Sequence, residues 1–478
     1  MGLSNLQIEI AVTLLALLVL VLGLLLPRSA PRISGKITLI GVIAILVMTI
    51  ISFSDHPGYI GNIYINDTFA LFFKILFLIA ALIVLLGSQE YVKRWSGRGS
   101  EFYAFMLFAT LGMILLASAG DFIVLYLALE LMTISFYVLT AFLIDDKLST
   151  EAGLKYLILG ALSSAILLFG ISLAFGLTGT TVISEVLAPA GHFQPAMLAG
   201  LIMMLVGFAF KLSIMPFHMW APDIYQGAPV PVATYLAVAS KAAAFAVTVR
   251  VFLLVLPTGS IIAFNWTLLL AILAAVTIVA GNLIALAQTN TKRLLAYSSI
   301  AQAGYILAGL VAANTYGMRG LLFYSFLYVF SNAGAFTVAT IVEVDSGSTE
   351  LQSLSGLGRR SPVLAAIMTV CLLSLAGIPP LAGFVGKLYL FTGVVQEGYL
   401  WLAFIALIMS MVSAYYYLNV AKIMYADEPL TNNGVKISWS VKLALWICLL
   451  GAIFIGVYPA PLADIAGQAL TSFSFLGL

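Results

Sequence analysis

Glu130, Lys155, Lys211, Lys241 and Lys387 each interrupt a run of residues that is otherwise almost purely apolar. An ionisable side chain at mid-bilayer costs several kcal/mol, so its presence there points to transport of protons, ions or charged substrates. Glu130 lies about 16 Å of helix into its run, Lys211, Lys241 and Lys387 are deep in theirs, and Lys155 is close to the start of one. Glu130 is expected to be the one acid at mid-membrane depth, against three deep lysines. A lysine buried without an acid holds its proton loosely, because burial disfavours the charged form; an approaching carboxylate restores it. A glutamate that moves relative to such lysines is a proton switch, and a row of lysines joined by water is a proton wire. Lys74, near the start of its run, is expected to snorkel outward or to make a structural contact.

Two of these lysines stand beside interrupted helices. FKLSIMPFHMWAPDIYQGAPVPV places Pro216 five residues after Lys211, with Pro222, Pro229 and Pro231 following. LAGIPPLAGFVGKLYLF places Pro379 and Pro380, flanked by Gly377 and Gly383, just before Lys387. Irregular backbone at membrane depth survives only where it lines a cavity or is buried in protein. Two Pro-interrupted helices, five spans apart and each beside a lysine, are the mark of a transporter built from inverted repeats.

The elements that must position these groups follow from composition. Of 478 residues, 63% are hydrophobic and 8% charged, against about 25% charged in soluble domains. A spanning helix needs about 20 mostly apolar residues, and fourteen segments between residues 6 and 462 qualify, the twelfth with an interruption. The first lacks a basic leader and a cleavage site, so it reads as a retained span. Arg28, Arg32, Lys36, Lys93, Arg94, Arg98, Lys147, Lys292, Arg293, Arg359, Arg360, Lys422 and Lys436 fall on one alternating set of connections. The other set, near 55–66, 178–195, 257–262 and the C-terminus, has no lysine or arginine; only Arg319 departs from the pattern. The positive-inside rule then puts both termini on the outer side. The polar stretch 344–361, with Asp345, Glu350, Arg359 and Arg360, reads as a solvated connector rather than a lateral amphipathic segment.

The expected architecture is an all-α polytopic membrane protein with about 14 transmembrane helices and two inverted five-helix repeats, spans 4–8 and 9–13, with helices 7 and 12 broken. The segments are 1–100 (helices 1–3), 101–258 (first repeat), 259–426 (second repeat) and 427–478 (helix 14). ELMTISFYVLTA set against SSIAQAGYILAG brings Glu130 opposite Ser298. GLKY set against GLLF brings Lys155 opposite Leu322, and in the eighth and thirteenth spans Lys241 meets Ser413 and Arg250 meets Lys422. A net charge of +2 gives no footing for nucleic acid. Cys371 and Cys448 have no metal-ligand spacing and read as core residues. His56, His192 and His218 are scattered, and no phosphate-binding glycine loop follows a strand.

LALELMTISFYVLTAF, LKYLILGALSSAILLFGISLAFGLTG, FKLSIMPFHMWAPDIYQGAPVPV, VASKAAAF, TNTKRLLAYSSIAQAGYILAGL and LSLAGIPPLAGFVGKLYLF resemble helices five, six, seven, eight, ten and twelve of a known family. That family is the antiporter-like membrane subunits of respiratory complex I, the proton-pumping NADH:quinone oxidoreductase, and the likeness is nearest to its subunit N group. The resemblance implies that Glu130 pairs with Lys211, that Lys241 is a central-axis lysine, and that Lys387 ends the outer half-channel. It also makes Lys155 a sixth-helix lysine of that group and His218 a link between Lys211 and Lys241. The implied setting is a prokaryotic inner (plasma) membrane, with other membrane and hydrophilic subunits as partners. NADH or ferredoxin and quinone are used by the whole complex, and no cofactor sits on this chain. The alternatives are an Mrp-type cation/proton antiporter subunit, which would call for more hard oxygen ligands than Glu130 supplies, and a structural scaffold with vestigial charges.

Overall fold

The computed structural model describes residues 3–25, 31–54, 58–92, 95, 98–186, 195–255, 265–431, 433–435 and 437–476. Arg28, His56, Lys93, Arg94, His192 and Lys436 lie outside the described residues. The first six helices are α1 (Gln7–Leu25), α2 (Pro31–Ile51), α3 (Thr68–Val92), α4 (Gly99–Ala117), α5 (Phe122–Thr140) and α6 (Lys147–Thr178). The broken seventh is α7a (Pro195–Leu212) and α7b (Trp220–Gly227), and α8 runs Val230–Leu253. There follow α9 (Trp266–Leu286), α10 (Thr291–Ala312), α11 (Thr315–Ser346), the broken α12a (Pro362–Ala376) and α12b (Ala382–Gln396), α13 (Leu400–Ala426) and α14 (Trp439–Val457). Among the described residues 13 helices are long and apolar enough to cross a membrane; α12a with α12b supplies the fourteenth crossing. The chain is therefore an all-α multi-pass integral membrane protein. A short helix, α15 (Ala460–Leu470), follows α14.

Burial sorts the helices. The most apolar windows of α8, α10 and α11 are 94–100% buried, whereas those of α1, α2, α13 and α14 are 33% buried. A helix apolar all round and buried all round belongs to the centre of a bundle, so α8, α10 and α11 form the axis, and the peripheral helices turn leucine and isoleucine outward. Both cysteines are free and buried, as their apolar surroundings imply.

The caps of α5 and α6 recur in α10 and α11. Asp121 caps α5 by accepting from the amides of Ile123 and Val124; Asn290 caps α10 by accepting from those of Lys292 and Arg293. Each satisfies N–H groups that the first helical turn leaves orphaned. α6 and α11 are both 32 residues long and both end on a left-handed glycine, Gly179 and Gly347, at φ 73°. Beyond those glycines the chain returns to the start of the preceding helix. Phe122 N donates to Thr181 O at 2.9 Å and Ile183 N to Gly120 O at 3.0 Å. In the second set Thr291 N donates to Thr349 O at 2.8 Å and Leu351 N to Thr289 O at 2.7 Å. The register this sets differs by one residue from that expected. With Asp121 on Asn290, Glu130 falls opposite Ser299 rather than Ser298. With Gly179 on Gly347, Lys155 falls opposite Phe323 rather than Leu322. The short sequence matches behind the expected register carry too few identities to resolve a one-residue slip.

The connector 344–361 is more folded than a solvated loop. Leu351–Leu354 and Leu357–Arg360 are helical turns, Leu354 and Leu357 are buried, and Arg360 pairs with Asp345. A two-strand hairpin, β1 (Gly58–Ile60) and β2 (Tyr64–Asn66), precedes α3. It docks on the α4–α5 connection through Ile65 N to Ser118 O, 2.8 Å, and Gly120 N to Ile63 O, 2.9 Å.

Candidate functional site

The two helix breaks share their backbone. α7a ends at Leu212 and Ser213 takes φ 57°; α12a ends at Ala376 and Gly377 takes φ 86°. Ser213 is thus a non-glycine residue in the left-handed region, which only glycine adopts freely. The peptide bonds before Pro216 and Pro380 are cis in both breaks. The chain recaptures the polar groups that the breaks release. Met215 N donates to Thr277 Oγ1 of α9 at 3.0 Å, and the Trp220 indole of α7b donates back to Phe210 O of α7a at 2.7 Å.

Lys211 sits one residue before the end of α7a, 2% exposed, and its ammonium has no hydrogen-bond partner. Its Nζ lies 5.5 Å from the Phe210 ring and 6.0 Å from the Tyr137 ring. Tyr137 meets Tyr156 edge-on at 4.9 Å, Tyr156 stacks on Trp220 at 4.9 Å, and Trp220 stacks on Phe210 at 5.4 Å. A run of four aromatic rings therefore links the two that face the lysine. Cation–π attraction is worth up to about 2 kcal/mol when desolvated, far less than a buried ammonium loses. Glu130, half-buried on α5, is near enough for its charge to act on Lys211. No ion pair within 4.0 Å joins them, and Glu130 Oε1 is itself buried without a partner.

Lys241 follows a π-helical stretch, Leu236–Ser240, inside α8. Such stretches are inserted turns that collect at functional sites. Its Nζ donates to Ser299 Oγ at 2.6 Å and Ser299 O at 3.0 Å, both on α10. A cavity of about 10 Å³, lined by Lys241, Ser299, Ser325 and Tyr328 among others, adjoins it, room for about one water. Lys387, on α12b, reaches back to the end of α12a. It donates to Leu375 O at 3.1 Å, Ala376 O at 2.9 Å and Ser410 Oγ of α13 at 2.7 Å, and lies 4.5 Å from the Tyr305 ring. The last carbonyls of a helix carry partial negative charge, so a cation is well placed there.

α10 bridges the two lysines. Next to Ser299, Ser298 Oγ hydrogen-bonds the Tyr417 hydroxyl at 2.5 Å, and Gln302 Nε2 donates to that hydroxyl at 3.3 Å and to Leu375 O at 3.1 Å. Leu375 O is also an acceptor for Lys387. The Tyr324 hydroxyl donates to Gln302 Oε1 at 2.6 Å. This path was not among the expected site residues. Its signal is nonetheless present: Ser298, Gln302 and Tyr305 recur at i, i+4 and i+7, a polar stripe along one face of an apolar helix.

Lys155 and His218 lie apart from both this line and the Glu130–Lys211 pair. Lys155 is not deep: its side chain is 44% exposed and pairs with Glu151 at 2.7 Å and Asp223 at 3.3 Å. Asp223 of α7b also binds Arg293 of α10 at 2.7 Å. His218 is half-buried in the break, and Nδ1 lies 3.3 Å from Pro216 O. Lys74 does not snorkel. It is fully buried and pairs with Glu9 at 2.7 Å, with Asn66 Oδ1 at 2.7 Å and the Tyr64 hydroxyl at 2.9 Å. Two further acids are buried, both at helix ends rather than mid-helix: Glu9 in the first turn of α1, and Asp67 just before α3, in a two-pronged pair with Arg250 at 2.6 and 3.1 Å. Glu9 escaped notice because it lies at the first turn of α1, and the lysine it serves is on another helix.

Residues 119–413 match the family model described as "NADH:quinone oxidoreductase/Mrp antiporter, TM". The chain is 50% identical over 470 residues to the NADH-quinone oxidoreductase subunit N of Desulforamulus reducens, covering 97% of each chain. A chain of respiratory complex I from Thermus thermophilus superposes with a TM-score of 0.82 at 33% identity, covering 96% of this chain and 100% of that one. A chain of the Mrp complex from a Dietzia species reaches a TM-score of 0.87 at 20% identity, covering 99% and 98%, a likeness of fold. The matches span the membrane helices, the two breaks and the α10 path together, and the chain belongs to the NADH:quinone oxidoreductase/Mrp antiporter membrane-subunit family, most like subunit N.

Proposed function

We propose that this chain is the proton-conducting membrane subunit N of a quinone oxidoreductase complex, driven by NADH or ferredoxin oxidation on partner subunits. The observation that carries the reading is a pair of hydrogen-bonded segments that meet at adjacent residues of α10: Lys241–Ser299, and Ser298–Tyr417–Gln302–Leu375 O–Lys387. Hydroxyls, an amide and a helix end thus line the way between two buried lysines, with one step, Ser299 to Ser298, spanned by no hydrogen bond. Glu130 and Lys211 form the switch at its head, His218 serves the step between Lys211 and Lys241, Lys155 serves the cytoplasmic mouth, and Lys387 releases outward. Moving one charge against 100 mV takes about 2.3 kcal/mol. The chain supplies no redox centre of its own in this reading, so partner chains must drive Glu130.

The repeats are residues 101–258 and 259–426, inverted, with 1–100 and 427–478 flanking them; the shared caps and breaks of α5–α7 and α10–α12 support this. Both termini face outward from a prokaryotic inner membrane. The antiporter alternative has less footing, since Glu9 and Asp67 are each engaged by a cation. Lys211→Ala in the assembled complex decides the matter. Proton pumping and quinone reduction fall together while assembly stays normal; unchanged pumping overturns the reading, and a sodium-dependent rate indifferent to quinone favours the antiporter.

A further inference from the structure

Tyr137 stands two helical turns after Glu130 on α5, a spacing that returns to the same face. Its ring is 6.0 Å from Lys211 Nζ, and Glu130's charge acts on Tyr137 and Lys211 alike. The residue is 7% exposed and its buried hydroxyl makes no hydrogen bond of ordinary length, though the Thr133 hydroxyl one turn back on α5 is near enough to act on it; Glu130 Oε1 and Lys211 Nζ are buried without a partner. Buried polar atoms nearly always find partners, and each orphan calls for an explanation. Here two such groups, on Glu130 and Tyr137, accompany a third, the lysine itself. The ring is fixed by its edge-on contact with Tyr156, so the hydroxyl's place is set by packing rather than by a bond of its own. α6 leaves room for it: a Cβ at Gly160 would fall 2.1 Å from the Tyr137 oxygen. A ring needed only to fill space would be better as phenylalanine, since an unpartnered buried hydroxyl destabilises.

We propose that the Tyr137 hydroxyl is the proton stop between Glu130 and Lys211. This rests on the proton-conducting reading above. When the two charged groups close on it, a Lys211 N–H bond breaks as an O–H bond forms at Tyr137. The tyrosine's own O–H breaks in concert, and its proton bonds to the Glu130 carboxylate. Amine, neutral tyrosine and neutral acid result, and the step runs backward when the groups part.

The test compares wild type, Tyr137→Phe, Tyr137→His and Lys211→Ala in membrane vesicles holding the whole complex, with pumping driven by NADH or reduced ferredoxin and expressed per assembled complex. Tyr137→Phe is expected to lower pumping about five- to tenfold, the rate equivalent of one hydrogen bond. Its thermal stability should be unchanged or raised, and Tyr137→His should recover part of the rate. Wild-type pumping by Tyr137→Phe, with Lys211→Ala inactive, overturns the role of Tyr137 and leaves the general reading standing. Wild-type pumping by Lys211→Ala overturns the general reading. A Tyr137→Phe defect confined to the amount of assembled complex, with full rate per complex, overturns the proton role in favour of a structural one.

Discussion

Asp223 and Lys387 occupy corresponding places after the two helix breaks and carry opposite charges. With Pro216 set on Pro380 and Ser213 on Gly377, Asp223 falls on Lys387, while Lys211 falls on Leu375, whose carbonyl Lys387 holds. The second segment of each broken helix therefore presents one charged side chain. In α12b it turns inward onto carbonyls; in α7b it turns to the half-exposed cations Lys155 and Arg293.

Asp223 is the shared node of that second cluster, so its loss should be felt more than the loss of Lys155. Lys155→Ala leaves the Asp223–Arg293 pair and the bond from Arg293 to Gln226 Oε1 in place. Asp223→Ala removes both ion pairs at once and leaves α7b held to α10 here only by the neutral acceptors of Gln226. Pumping assays on the two variants should show a partial loss for Lys155→Ala and a larger, several-fold loss for Asp223→Ala. Equal losses would contradict the node.

Lys387→Met should abolish pumping and also destabilise the subunit. It strips one donor each from Leu375 O and Ala376 O, and a lost hydrogen bond to a charged group is worth about 1.5–3 kcal/mol. Gln302 still donates to Leu375 O at 3.1 Å and Ser410 to Ala376 O at 2.8 Å, so neither carbonyl is orphaned and the damage is limited. Thermal unfolding of the purified complex measures the structural part, and vesicle acidification the functional part.

Ser298→Ala and Tyr417→Phe break the same 2.5 Å bond. Groups in direct contact do not act additively. The double variant should pump no worse than the poorer single variant, with each single variant several-fold down. Fully additive losses would show that protons do not pass between these hydroxyls.

The Glu9–Lys74 pair should behave as a structural fixture. Removing one partner of a buried ion pair costs about 3–5 kcal/mol, whereas replacing both with apolar residues of similar volume is often neutral. Lys74→Met should lower the yield of assembled complex sharply. Lys74→Met with Glu9→Leu should restore much of it, with pumping retained. A double variant that assembles but does not pump would move this pair into the proton path.

The membrane fold was legible because lipid demands long apolar runs, and the deep lysines stood out against them. The breaks were legible because proline removes a backbone donor wherever it sits. Partnerships were not. Lys74 finds Glu9 across 65 positions of sequence, and nothing in the local pattern names the distant acid. Lys155 looked buried because its neighbours are apolar, yet those neighbours face outward too: Leu154, Leu157 and Ile158 are exposed. In lipid an apolar flank does not tell inside from outside. Tyr137 passed as one more aromatic residue in an aromatic-rich helix, since an unpartnered hydroxyl is visible only in three dimensions.

The returning strands after Gly179 and Gly347 close each long helix pair into a ring, with a loop at one end and a backbone clasp at the other. A helix pair joined only by its loop can splay like tweezers. A ring cannot, and moves as one plate. Any mechanical stroke arriving from a neighbouring subunit would then be delivered whole to the seam between plates. α7b, packed against both α6 and α10, lies in that seam.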